Sequence, residues 1–567
     1  MSKHWNNLFM ISIINLVLFP LTLTAQWSSD PAVNTPLCTA TNDQLDPAIL
    51  ADSKGGAYIV WSDHRNEPTL FGGDIFMQRI NNNGETLWTT DGQVIYQWAD
   101  GQVQPKIVPD GQGGNIILWR SISGLLDGKL YAQRTDSTGL TLWSGFGMPI
   151  CVTGVSNYHA LIANSSGGAL IAWTRDGDIY AQQINSAGSP QWTVNGIAVC
   201  SATNNQSFTA IAADGNDGAY IVWKDERAGF SDPNIYAQHL TASGNSSMQS
   251  DGTAICASSG WQQNPRILAG NNSTAYILWH DTRNANGDIY AQRIDTTGNN
   301  FWSANGIAIC NESHEQNNAV MTSDGAGGVI IAWTDSRNDQ GNIYAQRINE
   351  AGNVLWAANG IPVCTSGNIQ DWSSIISDGS GGAIICWEDQ RQGALETDIY
   401  AQRLDASGIP QWEANGVAIV TASNMQSAPQ LISDGSGGAF ITWEDQRAGS
   451  FQNDIYVQWV DQQGNLAGVV GIEHENFGLI TDVYLYQNYP NPFNPVTKIN
   501  YQLPINSHVV LKVYDIIGRE IMTLVNRTML PGKHQVLWDA SDMPSGIYYY
   551  TIQTEHYRAT RKMILMK

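Results

Sequence analysis

The chain has 567 residues, 14% of them charged, with 51 Asp and Glu against 28 Lys and Arg and a formal net charge of −23. That length exceeds what one hydrophobic core serves, so two or more domains are expected. The acidic balance excludes nonspecific nucleic-acid binding, which needs clustered Lys and Arg, and suits a soluble, exported protein.

Residues 1–25 carry Lys3 and His4, an apolar run from Leu8 to Leu23, then Thr24 and Ala25. This is the pattern of a secretory signal peptide, with cleavage expected after Ala25. No later run is long and apolar enough to suggest a transmembrane segment.

A repeat then occupies 26–466. Its clearest marker is the Trp ending a GGAxIxW run, at Trp61, Trp119, Trp173, Trp223, Trp279, Trp333, Trp387 and Trp443. A second is the Gln of D-I-Y-A-Q, from Gln78 to Gln458, and a third is a Trp four residues after a turn Gly, as at Trp88 and Trp356. A shared period of roughly 55 residues means a solenoid, a propeller or an array. Each unit reads as four short strands, exemplified by Pro105–Asp110, Gly55–Trp61, Asp288–Ile294 and Ile197–Cys200. The second strand is apolar on both faces, as in a strand sandwiched between neighbours. DGxGG turns supply the positive φ that a tight hairpin needs.

Eight such units predict an all-β, eight-bladed β-propeller of four-stranded repeats. The eighth unit lacks its fourth strand, while Trp27 and Cys38 precede the first unit at the right spacing. The N-terminal strand is therefore expected to complete the last blade, because an open ring would expose unpaired edges.

Six of the seven Cys share one repeat position (Cys38, Cys151, Cys200, Cys256, Cys310 and Cys364), and Cys386 lies in a second strand. They read as small buried residues, not as a zinc or disulfide framework. A recurring D-x-R pair follows the second strand, from Asp63/Arg65 to Asp445/Arg447. Its repetition points to a structural device that fixes a loop or bonds the next blade. His64, His280 and His314 read as exposed loop residues without ligand spacing. No metal, cofactor or catalytic residue is assigned: no Ser-His-Asp or P-loop signature is present, and Glu226, Glu388 and Glu444 read as repeat variation.

The informative residues break the repeat. Trp98, Trp261 and Trp372 are placed in connections between a fourth strand and the next first strand; Phe230 and Phe451 are placed in loops after second strands. Both loop sets are expected on one face, where exposed aromatics stack on sugars or anchor a partner.

After a linker at 467–483, residues 484–567 hold nine Lys and Arg against five Asp and Glu, opposite in sign to the repeat. Alternating runs such as VVLKVYD and GIYYYTIQ predict six or seven strands of a small Ig-like β-sandwich. The segments QNYPNPFNPVTKINYQLP, VYDIIGREI and SGIYYYTI, with a basic end, resemble the C-terminal sorting domain of type IX secretion cargo of the Bacteroidetes and their relatives. Tyr489, Pro490, Asn491, Pro492, Gly518, Gly546 and Tyr548 match that family's pattern. The resemblance implies passage through the periplasm, type IX secretion machinery as partner, and a destination outside the cell or on the outer-membrane surface. The propeller resembles no named family.

The reading is a secreted or cell-surface binding module with an extracellular glycan or protein ligand. The alternative is a secreted carbohydrate-active enzyme, a glycoside hydrolase-like propeller, which needs two positioned carboxylates in a non-repeated setting.

Overall fold

Each repeat folds into one four-stranded antiparallel sheet. The computed structural model describes residues 27–66, 72–124, 128–338, 341–393, 396–449, 452–467, 483–488, 491–503, 507–529, 532–554 and 557–567. The expected signal peptide and most of the expected linker lie outside these residues. So do Phe451, Tyr489 and Pro490. The described residues contain strands and turns but no α-helix, and no helix long and apolar enough to cross a membrane.

The chain divides into two compact units, 1–469 and 470–567. Unit 1 holds eight four-stranded sheets in succession. Sheets 1 to 4 span 44–96, 101–151, 155–200 and 206–256; sheets 5 to 7 span 262–310, 316–364 and 370–420. Sheet 8 takes three strands from 426–460, and its fourth is the N-terminal strand Thr35–Cys38. That strand pairs antiparallel with Asp454–Val460, Thr35 opposite Val457 and Cys38 opposite Ile455.

Within a sheet the strands run outward in chain order. The first strand of each sheet lies beside the first strand of the next, and that of sheet 8 lies beside that of sheet 1. The eight sheets thus close on themselves in a propeller-like arrangement. Second strands such as Ala57–Asp63 are buried at every residue, because neighbouring sheets cover both faces. The eight repeat Trp residues are at most 1% exposed and fill the layers between sheets.

The junction of sheets 8 and 1 is packed like the others. Trp27, Leu37 and Cys38 join Ile59, Trp61 and Phe440 in one core. Trp27 lies over Gly84, where an added Cβ would come within 3.1 Å of the indole. Its Nε1–H donates to the Asn82 carbonyl at 2.8 Å. The third sequence marker repeats this contact: Trp302 and Trp356 cover Gly352 and Gly408 of the following sheet.

One irregularity recurs where it matters. In sheet 1, Leu45 pairs with Ser62 and Ala48 with Val60, so the first strand carries one extra residue. Such a bulge re-aims a side chain and bends the strand. Asp46 there has φ +56°, and the equivalents Gln104, Phe208, Asn264, Asn318, Trp372 and Ala428 share the left-handed conformation. The bulge also lengthens the first strand beyond expectation: in sheet 2 it runs Gly101–Pro109 instead of starting at Pro105.

Unit 2 consists of a three-stranded sheet (Tyr484–Leu485, Val496–Leu503, Gly532–Asp539) and a four-stranded sheet (Glu520–Met529, Ser507–Tyr514, Gly546–Gln553, Arg558–Leu565). Ile499, Tyr501 and Trp538 of the first meet Leu511, Val513 and Tyr550 of the second in one core.

Candidate functional site

The repeated D-x-R residues form a staple between sheets. In sheet 6, Asp335 Oδ2 accepts the indole N–H of Trp333 at 2.8 Å, and Arg337 binds both carboxylate oxygens at 2.8 and 2.6 Å. Arg337 Nη2 also lies 3.2 Å from Cys310 Sγ, on the last strand of sheet 5. Burial pushes the Asp335 carboxyl up, but the bonds from Arg337 and Trp333 hold it below its ordinary value. Burial pushes the Cys310 thiol up to about 12, so the sulfur is an inert wall of this cluster. All seven Cys are free and buried. Sheets 1, 4, 5 and 7 repeat the Arg–Asp and Arg–Cys contacts. In sheet 8, Arg447 meets Asn34 instead of a Cys. The staple ties both oxygens of the Asp and two nitrogens of the Arg into the packing between sheets.

The residue after each repeat Trp behaves differently. It faces the next sheet, and its identity changes around the ring: Ser62, Arg120, Thr174, Lys224, His280, Thr334, Glu388 and Glu444. Ser62 donates to the Gln102 carbonyl at 2.6 Å. Arg120 donates to Asn157 at 2.6 Å and Thr334 to Asp371 at 2.6 Å. Glu388 accepts the bulge N–H of Ala428 at 2.8 Å, and Glu444 that of Asp46 at 2.7 Å. His64 and His280 are buried, against the expectation of exposed loop residues, because His280 belongs to this layer and His64 stands beside it. His280 Nε2 lies 2.6 Å from Glu315.

The bulged first strands of all eight sheets surround one cavity of about 920 Å³. Charges of both signs line it: Lys106 of sheet 2, Arg266 of sheet 5, Glu388 of sheet 7 and Asp46 of sheet 1, with Asp46 near enough to act on Lys106. Among the described residues, neither Lys106 nor Arg266 has a hydrogen bond or ion pair from its side chain. Water reaches both side chains, but protein surrounds them, and this lost hydration lowers both pKa values. His159, buried beside them and 2.9 Å from the Gln104 carbonyl, is held down to about 3 chiefly by burial, so it is neutral. Burial raises Glu388 and Glu444 to about 7 each, against the bonds from Ala428 and Asp46.

The expected aromatic residues fall in two settings. Trp98 stands edge-on to Phe146 at 5.4 Å, and Phe230 edge-on to Trp261 at 5.9 Å. All four are exposed. Trp372 is not in a connection, as expected, but inside the first strand of sheet 7, Gln370–Ser377, at the bulge. There it lines the cavity and is 59% exposed. The structure brings Trp372 together with Lys106 and Arg266, which the sequence reading did not single out, and with Glu388, which it took for repeat variation. A signal existed: where Lys106 and Arg266 stand, other repeats have Ala48, Ala210 or Val320. Glu226 occupies a different repeat position from Glu388 and binds Lys224 at 2.7 Å.

In unit 2, Asn491 Oδ1 accepts the Ile564 N–H at 2.8 Å, tying the segment before Pro492 to the last strand. Gly518 closes a turn at φ +81°, and Gly546 opens the strand Gly546–Gln553. Tyr548 is buried against Trp538, its hydroxyl donating to the Pro544 carbonyl at 2.8 Å. Tyr550 donates to the Tyr486 carbonyl and accepts the Asn488 N–H.

Among solved structures, the chain is similar to a protein of unknown function from Dyadobacter fermentans DSM 18053, with 9% identity, coverage of 75% of this chain and 96% of that one, and a TM-score of 0.37. It is also similar to the GH93 alpha-L-arabinofuranosidase of Fusarium graminearum (10% identity, 76% and 97% coverage, TM-score 0.35). A third is an endo-arabinase from Bacteroides thetaiotaomicron (13% identity, 56% and 96% coverage, TM-score 0.27). No curated protein matches the chain. Residues 487–566 match the Secretion system C-terminal sorting domain, so the C-terminal unit is a type IX sorting tail.

Proposed function

We propose that this protein is a secreted or surface-held binding module. In this reading residues 1–25 are a signal peptide that delivers the chain to the periplasm, and 484–567 are the address that carries it across the outer membrane. Residues 26–466 form an eight-bladed β-propeller, 467–483 are a linker, and the tail is an Ig-like sandwich. The observation that carries the binding role is the asymmetry of the inner layer. Where six of the eight sheets share one staple, the residue beside it and the bulge residue vary, and Lys106, Arg266, Glu388 and Asp46 line one cavity. A fold that only needed closure would have no use for that difference. The exposed pairs Trp98–Phe146 and Phe230–Trp261 offer further contact surface.

Two measurements test this reading. Deleting Tyr484–Lys567 is expected to hold the protein inside the cell, with a folded repeat unit by circular dichroism; undiminished extracellular yield would remove the export role. The secreted protein is expected to bind selectively on a glycan array, and the double variant Trp98→Ala, Phe230→Ala to lose part of that binding. An array with no binder, or rim variants equal to wild type, would remove the aromatic rim from the proposal. Glycan hydrolysis abolished by Glu388→Gln would put the carbohydrate-active enzyme reading first.

A further inference from the structure

The two free cations are the least expected feature of the cavity. Acidic residues outnumber basic ones 51 to 28 in this chain, so a partner carboxylate was easily available to each. Elsewhere the protein provides one: Arg79 with Asp52, Arg134 with Asp110, Arg347 with Asp324. Lys106 and Arg266 instead line the cavity without an ion pair: Asp46 is near enough to act on Lys106 but makes no bond with it. An incoming anion forms charge-assisted bonds to both.

The rest of the lining narrows the anion. Trp372 presents an exposed ring to the cavity from a left-handed backbone. Asn157 and Gln430 add amide donors and acceptors, and Glu388 keeps one carboxyl oxygen without a hydrogen bond while the other accepts from Ala428. An aromatic face flanked by amides and a carboxyl is the chemistry that holds a sugar ring, its apolar face stacked and its hydroxyls bonded. The volume, about 920 Å³, lies in the range of small-molecule sites.

We propose that the cavity binds a small acidic saccharide of the uronate type. Its carboxylate sits between Lys106 and Arg266, its ring lies on Trp372, and its hydroxyls reach Asn157, Gln430 and Glu388. This rests on the binding reading above and on the same cavity; the rim variants test that reading and the cavity variants test the saccharide, so the two fail separately.

The test is calorimetric titration of the full chain with sodium glucuronate, glucose and sodium phosphate. Glucuronate is expected to bind at least tenfold more tightly than either of the others. Lys106→Gln and Arg266→Gln are each expected to weaken glucuronate at least tenfold with an unchanged melting temperature, because neither side chain has a hydrogen bond or ion pair to lose. Trp372→Ala is expected to weaken glucuronate and quench the fluorescence change that accompanies it. Equal affinity for glucose would overturn the anion site. Equal affinity for phosphate, unaffected by Trp372→Ala, would overturn the sugar and leave a bare anion site. No glucuronate binding would overturn the proposal whatever the glycan array shows, and glucuronate binding that survives Trp98→Ala, Phe230→Ala would support the cavity independently of the rim.

Discussion

Two adjacent residues in every second strand have opposite histories. Two positions after the repeat Trp, six of the eight sheets carry Asp: Asp63, Asp225, Asp281, Asp335, Asp389 and Asp445. One position after it, no residue type occurs more than twice. Adjacent strand residues face opposite ways. The Asp turns to the preceding sheet and enters the staple with Arg and Cys, and the other residue turns to the following sheet and the cavity. Sameness therefore follows from a packing problem solved once per sheet, and difference appears where the ring needs one asymmetric place. The sharpest way to break the comparison is to exchange what the two positions tolerate.

The largest effect is expected at the staple. Asp335 is fully buried and serves Trp333, Arg337 and the loop backbone N–H of Arg337. Asp335→Asn leaves a buried guanidinium without its counter-charge. Breaking such a pair costs about 3–5 kcal/mol. The denaturant midpoint of the repeat unit should fall accordingly, whereas Thr334→Ser, one residue away, should move it by less than about 1 kcal/mol. Equal losses at both positions would erase the distinction drawn here.

Much of this was legible in the chain before any coordinates. The period, the four strands, the fourth-strand Cys and the N-terminal strand that completes sheet 8 all follow from spacing, because each is repeated and local. The resemblance of the tail rested on three short segments in order and holds over 487–566. The cavity was not legible for a physical reason. Its residues lie roughly one repeat period or more apart, and they meet only after closure. The bulge added a further obstacle. It inserts one residue into the first strand and re-aims its side chain, which is why Trp372 was misplaced in a connection. The paired acids Glu388 and Glu444 looked like drift within a repeat, because their meaning lies in the bulge N–H groups of the next sheet.

Those acids supply a second and smaller effect, set by pH. Glu388 and Glu444 titrate near 7 in the folded protein, raised from 4.5 mainly by burial. A carboxyl with a raised folded pKa binds its proton more tightly when folded. Its contribution is therefore most favourable below pH 4.5, declines as pH rises toward 7, and is lost above that. Other carboxylates with lowered values, such as Asp335, act in the opposite direction at lower pH. In the double variant Glu388→Gln, Glu444→Gln the amide oxygens still accept the Ala428 and Asp46 N–H groups. Stability lost between pH 4.5 and 8 should be smaller than in wild type. Chemical denaturation at the two pH values measures it, and parallel profiles for both proteins would show that these acids titrate normally.

The smallest effect concerns strain. Trp372 holds φ +50° with a bulky side chain, a conformation that costs an ordinary residue roughly 1–2 kcal/mol. Asn264 and Asn318 occupy the same bulge position, and Asn tolerates the left-handed region by bonding locally. With Trp372 largely exposed, little buried area compensates for its strain. Outliers of this kind concentrate at functional sites, where the strain serves positioning. Trp372→Asn should therefore raise stability by about 0.5–1 kcal/mol while weakening any ligand that stacks in the cavity. Thermal unfolding and glucuronate titration of the same preparation read both quantities. A variant that loses stability would mean that Trp372 is a packing residue, and the inner layer would then owe its variety to closure instead of binding.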